Sequence, residues 1–487
     1  MIFNSYHSNL DKSQRIFVNR SLNFSHIKMV GFDMDNTLAQ YYKDRFEGLA
    51  FEETLKKFVE AGYPEELSTL TFNPTLISRG LLVDRKRGNV LKVDAHKYVK
   101  VAYHGYQKLT KEERFDVYNN RSFQATDFLS VDTIFDLSEV QLFVEIVEYI
   151  RLNPGKIKKS FEEIYQDIRE YIDLSHRDGS IKDKVLQNPE RYIIKDKYLA
   201  STLVRLIDGD KKLFLLTNSD YLYTNAIMSY LLEDSHLEFS SWKDYWDWIF
   251  VSSKKPTFFF GSEEFKEVDE KSGKLLRSSK KIDLGKVYSG GNAEVFESLA
   301  GYKGDEILFV GDHIYGDSIT SKIFKNWRTL LVVPELDEEM NKMKLQKLLT
   351  QEINNRIFEK EKLDEELQVL RSRLSSNKRK LTHYQNNKKK KSIMALETLI
   401  KQLEEDFSKK KKELESTHKI LKKDLKEREG YVHYLWGELM KSGLERSWFA
   451  KQLMHHVCLY TSKVTNIRFY SPYKSFMSFE GLMPHDL

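Results

Sequence analysis

Five short, unbroken apolar runs punctuate residues 20–335: Met29-Val30-Gly31-Phe32, Leu213-Phe214-Leu215-Leu216, Ile249-Phe250-Val251, Ile307-Leu308-Phe309-Val310 and Leu330-Leu331-Val332-Val333. Runs of this length without polar interruption suit strands covered on both faces, the condition of a parallel sheet. Helical patterns fall between them, as parallel crossovers require. An α/β fold with a Rossmann-like parallel sheet is therefore expected, its core drawn from residues 1–49 and 200–336. Residues 50–199 read as a helix-rich insertion, a cap between the first strand and the next.

The second half of the chain obeys a different rule. No glycine occurs between Gly316 and Gly430, and no proline between Pro334 and Pro472. These residues are the main obstacles to long helices. Ile393, Ile400, Phe407, Leu414 and Leu421 recur every seven residues, as do Leu367, Leu374 and Leu381 upstream. Residues 351–430 hold 37 charged residues, so this is an apolar heptad seam on a highly charged helix. The polar stretch Gln385-Asn386-Asn387 with Lys388 to Lys391 parts the two seams. Two long helices, 337–384 and 393–428, are expected to fold back as an antiparallel hairpin; a single rod is the alternative. The arm spans 337–430, and the aromatic-rich tail, 431–487, is expected to pack on the core.

Composition narrows the class. Forty per cent hydrophobic and 13% aromatic residues exclude general disorder. One cysteine, Cys458, excludes a disulfide framework and a Cys-based zinc site. No apolar stretch reaches signal-peptide or membrane-span length, so a cytosolic protein without a membrane partner is expected. A net charge of +5 is too small for this length to imply a nucleic-acid partner.

The chemistry gathers where the strands end. Asp33-Met34-Asp35-Asn36-Thr37 follows the first run, placing two carboxylates one residue apart beyond a strand. Thr217-Asn218-Ser219 follows the second, with a helix expected to begin near Asp220 and to aim its N–H groups at an anion. Lys254-Lys255-Pro256 follows the third, and Gly311-Asp312-His313-Ile314-Tyr315-Gly316-Asp317 the fourth. Any one of these could merely cap a helix or fill a turn. Four in order, each after an apolar run, argue for one site. Acids at several strand ends, with no cysteine ligands, suit a hard cation such as Mg²⁺.

These four elements resemble the motifs of the haloacid dehalogenase superfamily of phosphotransferases. The resemblance implies that Asp33 is the nucleophile, forming an aspartyl phosphate. It implies that Asp35 protonates the leaving oxygen and then activates water. Thr217 would bind the transferred phosphoryl group, and Lys255 would neutralise it and orient Asp33; Lys286 is the weaker candidate for that lysine. Mg²⁺ would be held by Asp33, the main-chain carbonyl of Asp35 and Asp312, with Asp317 ordering its waters.

A narrower resemblance covers 20–340 and 431–487. Asp33 to Leu38, Thr217 to Tyr221, Val287-Tyr288-Ser289-Gly290-Gly291, Gly311 to Asp317 and the tail Gly481-Leu482-Met483-Pro484-His485-Asp486 are similar to the cytosolic purine 5′-nucleotidase family that prefers 6-oxopurine monophosphates. It implies hydrolysis of IMP, GMP and their deoxy forms, phosphoryl transfer to nucleosides, and a homotetramer. Asn218 and Ser219 would join Thr217 in binding substrate. The stretch Arg169 to Lys182 resembles the base-recognition segment, with Arg169, Asp173 and His176 on one helical face. Phe135 matches an aromatic that stacks on the base. Asp136 stands where the family tends to have Asn. Without the resemblance, the bland reading is a salt-bridged exposed helix and a core Phe135. A nucleotide effector site is expected near Tyr315. His455-His456 and the lysine runs 388–391 and 409–412 read as ordinary tail residues and solvated helix faces. Two other readings compete: a phosphatase of another ester, and an interaction scaffold built on the arm.

Overall fold

The computed structural model describes residues 10–120, 127–279, 281–386 and 390–478. The tail motif from Gly481 to Asp486, and Asn387, Lys388 and Lys389, lie outside these residues.

The chain divides into two compact units, Glu339–Glu438 forming one and the remainder the other. The larger unit is built on a ten-stranded sheet. Its strands are β1 (Phe17–Val18), β2 (Met29–Phe32), β3 (Lys212–Leu216), β4 (Trp248–Val251), β5 (Phe265–Val268), β6 (Leu275–Ser279), β7 (Val287–Gly290), β8 (Ile307–Gly311), β9 (Arg328–Val332) and β10 (Leu459–Thr461). The order is β1-β10-β9-β8-β2-β3-β4-β7-β5-β6. The central run from β10 to β7 is parallel, while β1, β5 and β6 add antiparallel edges. The expected α/β architecture is present, and all five apolar runs are strands of this sheet.

Side-chain alternation explains why those runs lack polar residues. Val30, Phe32, Leu213, Leu215, Val310 and Leu330 enter one core, whereas Met29, Phe214, Leu216, Phe250, Phe309 and Trp327 enter another on the opposite face. Both faces are covered, so both parities must be apolar. Gly31 completes the second face by omission: a Cβ there would fall 2.1 Å from the Phe214 ring.

The strand order reverses at β2. The chain passes from β2 outward through β3, β4 and β7, then returns to place β8 on the other side of β2. Such a switch point opens a crevice beyond the carboxyl ends of the strands. Register aligns those ends: Phe32 pairs with Leu215 and Val310, and Leu216 with Phe250.

The insertion corrects one expectation. The helix α1 (Lys43–Glu60) leads into it across the expected boundary, and it contains α2 (Asp136–Leu152) and α3 (Phe161–Arg177), but also a five-stranded antiparallel sheet between Leu82 and Ser130. Its strands are short and bury polar residues. Asn89–Val93 buries Asn89 and Lys92 beside Val90, Leu91 and Val93. The sequence there shows neither an apolar run nor alternation. Asn89 and Asp84 are satisfied inside by Tyr118, at 2.7 and 2.8 Å.

In the smaller unit, α5 (Lys347–Asn386) and α6 (Lys390–Val432) lie antiparallel; their ion pairs Arg356–Asp424, Lys410–Glu366 and Lys378–Glu404 run in opposite directions along the chain. Ile353, Leu363, Leu367, Ile400, Leu403 and Leu421 are buried along the seam. The helices are offset from the expected 337–384 and 393–428: a separate helix, Glu335–Leu345, precedes α5, and α6 runs past Gly430 to Val432. No helix among the described residues is long and apolar enough to cross a membrane.

Candidate active site

Asp33 is the first residue beyond β2, and its N–H still donates to Val310 in β8 at 2.9 Å. That last ladder bond fixes where the carboxylate emerges. Asp312 leaves β8 alongside it, and Asp317 returns one turn later. Carboxylate oxygens of Asp33, Asp312 and Asp317 lie within 4.8 Å of one another, all three residues buried. Gly311 makes the return possible, since a Cβ there would sit 2.3 Å from the Asp317 carboxylate. Asp317 also accepts the His313 N–H at 3.1 Å.

Lys255 faces this cluster, its Nζ 2.8 Å from Asp33 and 2.7 Å from Asp317. Asn218 holds the lysine in place: its amide oxygen accepts the Lys255 N–H at 2.6 Å and its Nδ2 donates to the Lys255 carbonyl at 3.0 Å. Lys286, by contrast, makes an exposed ion pair with Glu267 away from the site.

Charge is out of balance here. Burial raises the Asp33 carboxyl to about 7, with Lys255 opposing and Asp317 and Asp35 reinforcing the rise. Burial and the neighbouring Asp33 and Asp317 carboxylates push Asp312 well up. Burial alone would lower Lys255, but Asp317 and Asp33 outweigh it and hold the ammonium above its ordinary value. One lysine against three buried carboxylates leaves negative charge that a divalent cation with oxygen ligands would neutralise. The donor set therefore fits Mg²⁺.

Asp35 belongs to the same turn but not to that cluster. Its carboxylate accepts the Tyr41 hydroxyl at 2.7 Å and the Ser219 hydroxyl at 2.8 Å. Burial raises it, and the two hydroxyls and Lys182 act against the rise. Asn36 takes the left-handed conformation the turn requires, φ +55°. Two carboxylates from one strand tip thus occupy distinct environments, one beside the lysine and one held by hydroxyls.

Thr217 ends β3. It is fully buried, its hydroxyl accepts the Ser219 N–H at 3.1 Å, and it does not line the cavity, whereas Asn218 and Ser219 do. Asp220 caps the helix α4 (Tyr221–Leu232), as the sequence suggests, and also pairs with Lys182.

The cavity above the cluster has a volume of about 620 Å³. The sheet supplies its floor, and the insertion supplies Phe135, Asp136, Glu139, Arg169, Asp173, His176 and Lys182. Phe135 packs 5.4 Å from the Phe46 ring. Arg169 donates to the buried Glu139 at 2.7 Å and approaches Asp173 at 3.6 Å. His176 is driven down to about 4 by burial and by Lys182, so it faces the cavity neutral. One oxygen of Asp136 accepts the main-chain N–H groups of Asp132 and Thr133, at 2.9 and 3.1 Å. Its carboxyl is raised to about 7, mainly by burial.

Several residues of the site carry no signal in the sequence. Tyr41 and Glu139 sit outside any motif, and nothing in the stretch around Phe135 marks Thr133 as the donor to the Asp312 carboxylate at 3.2 Å. Glu139 follows Phe135 by one helical turn, the sole local hint.

A parallel switch-point crevice, with an acid pair on one strand tip and a lysine bound between acids, defines a phosphoric monoester hydrolase of the haloacid dehalogenase type. The family model for the 5′ nucleotidase family matches residues 16–487. The chain is 28% identical over 482 residues to a 5′-nucleotidase domain-containing protein of Dictyostelium discoideum, covering 97% of this chain and 75% of that one. It is 28% identical over 340 residues to 5′-nucleotidase domain-containing protein 2 of Homo sapiens, covering 67% of this chain and 64% of that one. The chain belongs to the 5′ nucleotidase family.

Proposed function

We propose that the protein is a Mg²⁺-dependent 5′-nucleotidase acting on purine nucleoside 5′-monophosphates, IMP, GMP and their deoxy forms. The observation that supports this reading is the difference in surroundings between Asp33, which pairs with Lys255, and Asp35, which accepts the Tyr41 and Ser219 hydroxyls. An Asp33 oxygen attacks phosphorus, and the P–O5′ bond breaks. Asp35, biased by burial toward its neutral form, gives its proton to the departing nucleoside oxygen. The same carboxylate then takes a proton from water as that water attacks the aspartyl phosphate, releasing phosphate and restoring Asp33. Lys255 balances the anionic substrate and keeps Asp33 aimed. Asp33, Asp312 and the main-chain carbonyl of Asp35 would hold Mg²⁺, with Asp317 ordering its waters, and the ion would supply the positive charge that offsets repulsion between nucleophile and substrate.

The cap residues support a purine base. Phe135 offers a ring, Arg169 a donor for a 6-oxo group, and Asp173 an acceptor for a ring N–H. His176 and Lys182 close the same wall. With one oxygen of Asp136 committed to its own loop, base selection rests mainly on Arg169 and Asp173. Thr217 acts from behind, keeping Ser219 in place. Phosphoryl transfer to a nucleoside, a nucleotide effector site near Tyr315, a homotetramer and a cytoplasmic location complete the proposal by family resemblance.

Phosphate release from IMP, GMP, AMP and an aryl phosphate tests it. Asp33→Asn is expected to lower turnover of IMP by at least about 10³-fold, and Asp173→Ala to lower kcat/KM for IMP but not for the aryl ester. Full turnover in Asp33→Asn removes the nucleophile. Equal rates on IMP and the aryl ester, indifferent to Asp173→Ala, point to a phosphatase of another ester.

A further inference from the structure

We propose that Arg79 is a positioning residue for the cation site, acting through the main chain of Asp312. The inference rests on reading Asp33, Asp312 and Asp317 as that site. Arg79 is wholly buried. Its Nη1 donates to the Asp312 carbonyl oxygen at 2.8 Å, and its Nε and Nη2 grip the two oxygens of Glu335 at 2.7 and 2.6 Å. A buried guanidinium needs a paired carboxylate, and Glu335 meets that need. The bond to Asp312 is a separate fact, because neutralising the charge requires no carbonyl.

What that carbonyl belongs to gives the bond its meaning. Asp312 turns its side chain toward Asp33 and Asp317, and three crowded carboxylates repel one another. The residue is kept there from two sides: Thr133 donates to its carboxylate and Arg79 to its main chain. Both partners come from the insertion, more than 170 residues away in sequence. Glu335, three residues beyond β9, in turn holds the guanidinium by its planar fork. Partners of this kind orient a ligand that they do not replace, and their loss typically weakens metal binding about 10- to 100-fold.

Titration of the metal-free protein with Mn²⁺, read by electron paramagnetic resonance, tests the proposal on wild type, Arg79→Met, Arg79→Lys and Glu335→Gln. Arg79→Met is expected to bind Mn²⁺ about 10- to 100-fold more weakly, with turnover lost at limiting Mn²⁺ and regained as the metal is raised. Arg79→Lys should recover part of the affinity, because an ammonium reaches the carbonyl but cannot hold both Glu335 oxygens. Glu335→Gln should show a smaller weakening. Wild-type Mn²⁺ affinity in Arg79→Met overturns the role of Arg79 and leaves the site reading intact. Absence of Mn²⁺ binding by the wild type removes the site reading, and the proposal with it. If circular dichroism shows Arg79→Met unfolded, Glu335→Gln and Arg79→Lys decide: weakened binding supports the proposal and unchanged binding overturns it.

Discussion

At the residue scale, the cost of burying acid is visible beyond the cation cluster. Glu47 on α1 is 1% exposed, and its carboxylate accepts the Ser138 N–H at 3.3 Å. Burial raises it from 4.5 to about 8, with Ser138 and Lys43 opposing. The sign follows from proton uptake. Between pH 4.5 and about 8 the folded protein keeps a proton on Glu47 that the unfolded chain has lost, so stability falls as pH rises through that window. Glu47→Gln retains the acceptor for Ser138 without the charge. It is expected to raise stability at pH 8 by roughly 2 kcal/mol or more, and to flatten the pH dependence of Tm between 5 and 8. A variant less stable than wild type at pH 8 would contradict the assignment. The sequence marks none of this, because Glu47 on a helix reads as a surface residue until α2 covers it. Asp33, Asp35, Lys255, Asp312 and Asp317 were legible for the opposite reason: each follows an apolar run that announces a strand end.

Elements differ in how much they reveal. β2 shows as four residues with no polar interruption, and the two long helices show as a heptad seam without breakers. The short strands between Leu82 and Ser130 hide, because their polar residues are satisfied by partners distant in sequence, as Asn89 is by Tyr118. Gly31 is the tightest point in β2. Gly31→Ala, two residues before Asp33 in the chain, would drive a methyl into the Phe214 ring. It is expected to cost about 3 kcal/mol, seen as a lower midpoint in urea, together with lost turnover as the strand shifts. A wild-type midpoint would mean the sheet gives more than its packing suggests. In the smaller unit, Ile400→Ala removes a buried seam side chain and should cost about 2–4 kcal/mol. Faster amide hydrogen exchange in α5 and α6, with exchange in β2 and β3 unchanged, is the expected pattern; equal acceleration in both would show that the two units unfold as one.

At the scale of the molecule, the reversal of strand order at β2 assembles the site. Asp33, Asp312 and Lys255 come from three strands, and one topology brings their tips together. The insertion then closes over them, bringing Phe135, Arg169 and Asp173 to the far wall. The proposed homotetramer belongs to this scale too. Sedimentation is expected to give four times the monomer mass, and a monomer at micromolar concentration would remove that part of the proposal.

By itself the sequence determined where strands end and which acids stand there, because burial on both faces of a parallel sheet demands apolar runs and any charge must wait until the run is over. It determined the long helices likewise, through spacing and the absence of breakers. Only the tertiary structure decided which groups support those acids. The grip of Arg79 on Asp312, the hydroxyls on Asp35 and the pairing of Glu139 with Arg169 join residues far apart in the chain or on separate elements, and no local pattern records a hydrogen bond whose partner arrives from elsewhere.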